Sequence, residues 1–249
     1  MYSAEKPYVL SIAGLDPTGG AGLLADVKTF EQCEVFGFGV CTAITAQTEE
    51  ECLHVRWLSE EEIILQLTPL FENYPISAVK LGIFPSIELL ETILRWIRNK
   101  NENVFIVWDP VLKATSGFEM LNLAKTDFYH LLSLVDLITP NAPELIKFTL
   151  NSELNLSAEQ LKAYTSVLLK GGHSDEEECT DYLFTKEETY SYTKERLQGY
   201  SKHGSGCVLS SAIAANVALG YSLPEACQKA SAYMHHFFLS STTKLGLHL

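Results

Sequence analysis

The stretch YVLSIAGLDPTGGAGLLADVKTF, residues 8–30, joins a strand-like segment to a helix-like segment through a glycine-rich turn. YVLSIAG (8–14) is a largely apolar run typical of a buried strand, and GLLADVKTFEQC (22–33) has the apolar spacing of a helix. The turn between them matches neither the G-x-G-x-x-G pattern nor a Walker A loop. Its glycines permit close backbone approach, and the helix start offers N–H groups to an anion. The stretch therefore predicts an anion-binding turn, with a plain strand-to-helix connection as the alternative.

The alternation of strand and helix continues along the chain and indicates the class of fold. Apolar runs typical of buried strands occur at residues 38–45, 77–84, 103–110, 136–141 and 166–172, with a hairpin at 180–193. Helical spacing occurs at residues 59–74, 86–100, 206–220 and 224–241, and the first of these opens with Ser59 and three glutamates, which is typical of a helix start. Strands that are apolar on both faces are typical of a parallel sheet covered by helices on each side. We therefore expect an α/β fold.

Length, composition and charge limit the classes of protein to which the chain belongs. The 249 residues are 47% hydrophobic and 20% charged and contain no linker-like tract or internal repeat, which predicts one domain over residues 1–249. A formal net charge of -13 argues against a nucleic-acid partner, because such a partner requires a basic face. No apolar run approaches the roughly 18 residues of a membrane helix, so we expect a cytoplasmic protein without a membrane partner.

The stretch KHGSGC (202–207) places a cysteine where a helix begins. None of the six cysteines forms a C-x-x-C pair, so each is expected by default to be a small buried side chain. In KHGSGC, however, Ser205, Gly206 and Cys207 would present successive N–H groups at a helix start, which suits charge on a transferring phosphoryl group. The same helix start is expected to lower the pKa of the Cys207 thiol. Cys207 is therefore a candidate base for a substrate hydroxyl.

Polar side chains follow several of the predicted strands. Open parallel sheets bind their ligands beyond the carboxyl ends of the strands. The polar residues expected there are Asp16, Gln47, Lys80, Asp109, Asn141, Glu144, Lys170 and Asp181. The asparagine and glutamate of TPNAPE (139–144), with the aspartate of WDPV (108–111), suit a hydrated magnesium ion beside phosphates. Alone, TPNAPE is explained equally well as a helix cap, and LLKGGH (168–173) is only a weak signal for a nucleotide.

The motifs together resemble one known family. GLDPTGGAGLLADVKTF, AITAQ, KLGI, DPV, SG (116–117), TPNAPE, LLKGGH and HGSGC occur in the order found in the hydroxymethylpyrimidine and phosphomethylpyrimidine kinases of thiamine biosynthesis. That family belongs to the ribokinase-like superfamily, beside the pyridoxal kinases. The similarity runs from about residue 8 to residue 235. The combination of D-P-T-G-G-A-G with H-G-S-G-C is specific, whereas any single piece is not.

The resemblance implies a fold and an activity. The fold is a ribokinase-like three-layer sandwich, in which helices cover both faces of a central, mostly parallel sheet. The activity is the transfer of the terminal phosphoryl group of ATP, with Mg²⁺, to the hydroxymethyl group of 4-amino-5-hydroxymethyl-2-methylpyrimidine, its monophosphate, or both. The partner is then a small-molecule alcohol. Similar proteins are commonly homodimers, and the sequence leaves the oligomeric state open.

The resemblance also implies roles for individual residues. The residues expected to hold or line the pyrimidine are Ala21, Asp26, Thr45, Gln47 and Ile83. Those expected to bind ATP are Asn141, Lys170 and Gly171, and those expected to organise magnesium are Asp109 and Glu144. Gly204, Ser205 and Gly206 correspond to the anion hole. Cys207 lies at the position of the catalytic base, where sugar kinases of the superfamily carry an aspartate.

Several departures from the family pattern keep other functions open. Thr115 replaces a lysine of the family, although Lys113 lies two residues earlier. Ile83 replaces a methionine, and Thr48 replaces the asparagine of the family's Q-N-T. The changes at Ile83 and Thr48 leave a pyridoxine or pyridoxal kinase as an alternative, because both ring substrates carry a hydroxymethyl group. The change at Thr115 leaves a second alternative, a degenerate relative that binds a ligand without turning it over.

Overall fold

The computed structural model describes residues 6–112, 120–121, 129–171, 178–197, 199 and 201–249, and nine strands among them form one continuous sheet. The strands are β1 (Tyr8–Leu15), β2 (Phe36–Gln47), β3 (Cys52–Trp57), β4 (Ile76–Leu81), β5 (Phe105–Trp108), β6 (Leu137–Ile138), β7 (Ser166–Leu169), β8 (Glu178–Phe184) and β9 (Thr189–Glu195). Their order is β3-β2-β1-β4-β5-β6-β7-β8-β9. Every pair from β2 to β7 is parallel, whereas β3, β8 and β9 join the two edges in antiparallel pairs.

Helices cover both faces of this sheet. They are α1 (Gly22–Gln32), α2 (Glu60–Asn73), α3 (Ile87–Lys100), α4 (Tyr129–Leu132), α5 (Ala142–Thr149), α6 (Leu154–Leu161), α7 (Ser205–Ala218) and α8 (Leu223–Leu239). Buried residues of α1, α7 and α8 form one core with the sheet, and those of α2 to α6 form another on the opposite face. The predicted three-layer α/β sandwich is therefore confirmed. None of the helices in the described ranges is long and apolar enough to cross a membrane.

Consecutive strand residues belong to opposite cores. Val9 packs with α1, α7 and α8, and its neighbour Leu10 packs on the other side; Ala78 and Val79 divide in the same way. Side chains alternate across a strand, so a strand that is covered on both faces has apolar residues at consecutive positions. This is the physical origin of the apolar runs from which the sheet was predicted.

Local signals set several element ends, and weak signals account for the elements that the sequence analysis missed. The Ser59 side chain accepts from the Glu62 backbone N–H, and the Glu62 carboxylate accepts from the Ser59 N–H, so a capping box begins α2 as predicted. Strand β3 was missed because it lies at an edge and none of its residues is buried, so it lacks an apolar run. Helix α6 was missed as well. Lys113, Thr115 and the SG pair at 116–117 lie outside the described residues.

Candidate active site

A cavity of about 910 Å³ opens at the carboxyl ends of the parallel strands. Its lining includes the predicted site residues Ala21, Thr45, Gln47, Ile83, Asp109, Asn141, Glu144, Lys170, Gly204, Ser205, Gly206 and Cys207. These residues come from distant parts of the chain and meet because β1, β2, β4, β5 and β7 end at the same edge of the sheet. Two predicted site residues, Asp26 and Gly171, do not line the cavity.

The first turn of α7 forms one wall of the cavity. Gly204 caps this helix in the left-handed conformation, with φ of 74°, and a Cβ there would lie 2.1 Å from the Gly20 carbonyl oxygen. Only glycine fits this position without strain. Ser205, Gly206 and Cys207 follow as the first three helical residues. The Ser205 N–H donates to the Lys202 carbonyl oxygen at 3.3 Å, whereas those of Gly206 and Cys207 precede the first intrahelical bond. The turn therefore directs a positive helix end into the cavity.

An ion pair faces this turn from the opposite wall. Lys170 Nζ lies 3.0 Å from Asp109 Oδ1 and 3.9 Å from Glu144 Oε2. A Cβ built on Gly206 would lie 3.3 Å from Lys170 Nζ and 3.5 Å from Asp109 Oδ2. Gly206 has no side chain to fill this space. One small anionic group therefore fits beside the start of α7, the Lys170 ammonium and the Asp109 carboxylate.

Burial and charge shift the two carboxyl groups beside Lys170 in opposite directions. Burial opposes ionisation of Asp109, but the ammonium groups of Lys170 and Lys80 hold its pKa below the ordinary value. Burial raises the pKa of Glu144, and the nearby Asp109 carboxylate adds to the effect, against the opposing charge of Lys170. Asp109 is thus the stronger anion of the two.

TPNAPE serves as a helix cap and also contributes to the cavity. The Asn141 side chain accepts from the Glu144 N–H at 2.9 Å, and the Asn141 N–H donates to Glu144 Oε2 at 2.8 Å, which forms a capping box at the start of α5. Both residues also line the cavity. The two explanations left open for this motif are therefore compatible, since the cap is what holds the Glu144 carboxylate at the cavity wall.

The donor set around Lys170 fits a magnesium ion that arrives with a nucleotide. Magnesium in such sites binds one or two carboxylates, and phosphate and water oxygens complete its shell. Asp109 and Glu144 supply two carboxylates that converge on the same ammonium. The described ranges hold no cluster of three or more His, Cys, Asp or Glu side chains suited to a metal, so an all-protein cage is not seen there.

The structure corrects the prediction for Asp26, which does not face the cavity. The side chains of Asp26 and Lys80 are fully buried and form an ion pair at 2.7 Å. Ser11 Oγ and Ser211 Oγ also donate to the Asp26 carboxylate, at 2.5 Å and 2.7 Å. Both carboxylate oxygens are thus bonded within the protein, and the expected contact with a pyrimidine does not fit this geometry. It is Lys80, the partner of Asp26, that lines the cavity.

Gly171 also differs from its predicted role as a nucleotide ligand. Its backbone N–H donates to Asp181 Oδ1 at 2.9 Å, and a Cβ at this position would lie 2.0 Å from the Thr180 carbonyl oxygen. The glycine therefore allows β8 to approach the end of β7. Asp181 itself lines the cavity and pairs with Lys194 at 2.9 Å.

The glycine-rich turn after β1 binds its own aspartate, in contrast to the predicted anion site. The Asp16 carboxylate accepts from the N–H groups of Thr18 and Ala21 at 2.9 Å and 3.0 Å, and from the Thr18 hydroxyl. Gly20 N–H donates to the Thr18 hydroxyl oxygen. These N–H groups are consequently already engaged. His203 Nε2 lies 2.8 Å from Asp16 Oδ2, so the aspartate ties this turn to KHGSGC.

The expected direction of the Cys207 pKa shift is wrong. Burial raises the pKa of the thiol to about 11, and the carboxylates of Asp26 and Asp109 act in the same direction. The Lys80 ammonium and a hydrogen bond from the Gly22 backbone oppose this rise. The sequence indicated a helix start, but it did not reveal how deeply the thiol is enclosed. At neutral pH the Cys207 side chain is therefore a neutral thiol.

Several cavity residues escaped the sequence analysis. They include Lys147, Lys194, Arg196, Lys202, His203, Met234 and Phe238. A signal existed for Lys194, because the register of the β8–β9 hairpin pairs Asp181 with Tyr192 and so places Lys194 on the same face as Asp181. For Met234 and Phe238, which lie on α8, helical spacing alone did not indicate which face would reach the cavity.

Comparisons with known proteins agree with this geometry. A family model described as phosphomethylpyrimidine kinase matches residues 16–247. A hydroxymethylpyrimidine/phosphomethylpyrimidine kinase of Staphylococcus aureus (strain MRSA252) is 37% identical over 241 residues, which is 92% of this chain and 87% of that protein.

Solved structures extend the comparison. The crystal structure of a phosphomethylpyrimidine kinase from Clostridium difficile 630 has a TM-score of 0.79 at 34% identity and covers 93% of this chain and 99% of its own. The pyridoxal kinase of Staphylococcus aureus in complex with ADP has a TM-score of 0.85 at 26% identity, and the match covers 98% of this chain and 92% of that kinase. From the family match, the sequence identity and the shared fold, we conclude that the chain belongs to the phosphomethylpyrimidine kinase family.

Proposed function

We propose that this chain transfers the terminal phosphoryl group of ATP to the hydroxymethyl group of 4-amino-5-hydroxymethyl-2-methylpyrimidine, its monophosphate, or both. The observation that carries the proposal is the position of the first turn of α7. Gly206 faces Lys170 and Asp109, whereas Gly204 packs against Gly20 and Ala21 in the turn after β1. The helix start thus lies between a charged region suited to phosphates and a region suited to a small ring.

The charged region stabilises the phosphoryl group during transfer. Negative charge on the equatorial oxygens is met by the N–H groups of Gly206 and Cys207 and by the Lys170 ammonium. Asp109 fixes the ammonium in place through its bond at 3.0 Å. Because these groups are already held before ligands bind, little reorganisation is needed as the charge develops.

Asp109 and Glu144 are the residues that would hold Mg²⁺ in this site. A bound magnesium ion neutralises part of the phosphate charge. Glu144 is suited to this role because its raised pKa reflects a buried carboxyl group that gains from a nearby cation. The ADP complex of the Staphylococcus aureus pyridoxal kinase, which shares this fold, supports a nucleotide as a ligand of this chain.

Cys207 is placed to take the proton of the substrate hydroxyl. A phosphoryl transfer with a loose transition state needs a base only late in the reaction, when the attacking oxygen has begun to bond to phosphorus. The thiol must first lose its own proton, and its pKa of about 11 makes that form scarce at neutral pH. The Lys80 ammonium favours the thiolate and is held in place by Asp26.

The ring side of the cavity is built from β2 and the loop after β4. Thr45 is held by its hydroxyl, which donates to the Leu15 carbonyl oxygen at 3.0 Å. Gln47 ends β2 and lines the same wall, and Ile83 supplies apolar surface. The Gln47 amide carries a donor and an acceptor, which match the amino group and ring nitrogens of an aminopyrimidine.

Pyridoxal is the second candidate substrate. The Staphylococcus aureus pyridoxal kinase in complex with pyridoxal has a TM-score of 0.85 and is 25% identical to this chain. The primary assignment is better supported, because relatives described as hydroxymethylpyrimidine/phosphomethylpyrimidine kinases reach 37% identity. A ligand-binding relative without turnover is the third outcome that an experiment must separate.

The test is ADP formation by purified protein with Mg²⁺ and ATP. The hydroxymethylpyrimidine, its monophosphate and pyridoxal are offered separately, and the phosphorylated product is identified by mass. We expect turnover with at least one of the two pyrimidines. Cys33→Ala is the matched control for later thiol variants, because Cys33 lies at the end of α1 and does not line the cavity.

Each result selects one function. Turnover of a pyrimidine supports the proposal, and turnover of pyridoxal alone replaces it with the second candidate. If ADP and a pyrimidine each raise the melting temperature but no ATP is consumed, the chain is a ligand-binding relative. The wild-type protein without any alcohol serves as the baseline for ATP hydrolysis.

A further inference from the structure

Lys202 lies two residues before Gly204 and is held by the C-terminal segment of the chain, residues 240–248. It is 6% exposed, and its ammonium donates to the Ser241 carbonyl oxygen and the Ser241 hydroxyl, each at 2.7 Å, and to the Thr243 carbonyl oxygen. Burial lowers the pKa of this lysine. A buried ammonium is unfavourable unless it is hydrogen-bonded, so these oxygens fix the position of Lys202.

His203, the next residue, is held from two sides. Its backbone N–H donates to the Lys244 carbonyl oxygen at 2.8 Å. Its side chain lies 2.8 Å from Asp16 Oδ2, and the same carboxylate accepts from Ala21 N–H. The backbone that enters the anion hole is therefore attached to the C-terminal segment and to the turn after β1.

The C-terminal segment is itself anchored to the body of the protein. Leu247 N–H donates to the Ser240 hydroxyl at 2.8 Å, and His248 Nδ1 lies 2.9 Å from the Tyr233 hydroxyl on α8 and 3.3 Å from the Thr29 hydroxyl on α1. The Leu245 side chain reaches Gly20, where a Cβ would lie only 2.6 Å from Leu245 Cδ2. The segment thus connects α1 and α8 with the turn after β1 and with the turn that precedes α7.

We propose that Lys202 and His203 are positioning residues, which hold the N–H groups of Gly206 and Cys207 in place by attaching the turn before them to residues 240–248 and to Asp16. The inference rests on the proposed kinase function, because it assigns these N–H groups to the transferring phosphoryl group. Displacement of a reacting group by about 1 Å lowers rates by about 100-fold, and the bonds of Lys202 and His203 are what prevents such a shift of this turn.

The chain offers a matched pair of lysines for the test. Lys202→Met removes the ammonium that binds Ser241 and Thr243. Lys244→Met is the control, because the Lys244 ammonium pairs with the exposed Glu50 at 2.6 Å and only its backbone oxygen contacts His203. We expect Lys202→Met to lower kcat about 10-fold to 100-fold with the KM for each substrate and the affinity for ADP within about twofold of wild type. Lys244→Met should match wild type in every quantity.

A second readout separates this inference from the kinase assignment. Amide resonances of Ser205, Gly206 and Cys207 in ¹⁵N-labelled protein report the anion-hole backbone without any turnover. We expect these resonances to shift in Lys202→Met and to keep their wild-type positions in Lys244→Met. Ser241→Ala removes a single acceptor, and it replaces Lys202→Met in both measurements if that variant does not fold.

The results are decisive in either case. Unchanged amide resonances together with unchanged kcat per folded molecule in Lys202→Met would overturn the inference, as would an equal effect of Lys244→Met. If wild-type protein turns over none of the alcohols, the kinase assignment fails, and the amide resonances still decide whether Lys202 positions this turn.

Discussion

Two lysine–aspartate pairs lie near Cys207, and they differ in how completely the protein encloses them. Asp26 and Lys80 are fully buried, and two serine hydroxyls complete the bonding of the carboxylate. Asp109 and Lys170 are 2% and 15% exposed, and Thr139 and Lys170 both donate to Asp109 Oδ1, while Oδ2 faces Gly206. The Asp26–Lys80 pair supports the cavity from inside the protein. The Asp109–Lys170 pair is partly exposed to the cavity and can contact a ligand.

The difference shows that burial and charge do not by themselves identify a catalytic group. The position of each pair in the fold decides its role, because Asp26 lies on α1 against the sheet and Asp109 lies at the end of β5. Substitutions that neutralise one aspartate at a time separate the two roles.

Asp26→Asn should give the largest loss of stability. The variant leaves the buried Lys80 ammonium without its counter-charge, and breaking a buried pair in this way costs about 3–5 kcal/mol in the free energy of unfolding. Urea unfolding at neutral pH measures it. The control is Ser11→Ala, which removes one hydrogen bond to the same carboxylate and should cost about 1 kcal/mol. Equal losses of unfolding free energy in the two variants would show that the Asp26–Lys80 ion pair contributes no more to stability than one hydrogen bond.

Asp109→Asn should reduce turnover more than stability. The variant frees Lys170 from its fixed position opposite Gly206, so we expect kcat to fall about 10²-fold to 10³-fold. The loss of stability should stay below that of Asp26→Asn, because Glu144 remains beside the partly exposed Lys170. Steady-state kinetics and urea unfolding measure the two quantities.

The control for this variant is Asp136→Asn. Asp136 directly precedes β6 and pairs with Arg98 at 2.8 Å, but it does not line the cavity. Its turnover should equal that of wild type. If Asp109→Asn retained full turnover, the Asp109–Lys170 pair would have no part in the chemistry.

Glu144→Gln should have the smallest effect on stability, and the effect should depend on pH. Burial raises the pKa of Glu144 above its ordinary value of 4.5, so the folded protein holds this proton longer than the unfolded chain. The contribution of Glu144 to the free energy of unfolding is therefore most favourable below pH 4.5, and it declines as pH rises from there to the raised pKa. The variant lacks this decline, so its stability relative to wild type should increase over that range.

Asp109→Asn provides the opposite sign in the same experiment. The pKa of Asp109 is lowered from 3.8, so its contribution is complete above pH 3.8 and is lost as pH falls through the lowered value. The stability of Asp109→Asn relative to wild type should thus decrease as pH rises towards 3.8. Urea unfolding between pH 2 and pH 7 gives both curves, and curves of the same sign would contradict the electrostatics described for Lys170.

The sequence predicted most of the fold because both faces of the sheet are covered. Apolar runs marked the central strands, and Ser59 with its glutamates marked the start of α2. The exposed edge strand β3 carried no such signal. Short helices such as α6 depend on packing that periodicity does not show.

The candidate site was predicted less completely, because its details depend on contacts between distant residues. Asp26 was predicted to contact the substrate because it belongs to the motif GLDPTGGAGLLAD. Only the fold shows that it pairs with Lys80, 54 residues later in the chain. The bond between His203 and Asp16 spans 187 residues. Likewise, a helix start can be read from KHGSGC, but the burial that raises the Cys207 pKa cannot.

The most direct test is the pH dependence of kcat/KM for the hydroxymethylpyrimidine, measured for wild type and Cys207→Ala between pH 6 and pH 10. A base with a pKa of about 11 predicts that wild-type kcat/KM rises about tenfold per pH unit. The variant should show a flat profile, so its deficit should grow with pH and reach about 10⁴-fold at pH 10, with unchanged ADP affinity. Profiles of equal height and slope in the two proteins would contradict the account, because Cys207 would then have no part in the proton transfer.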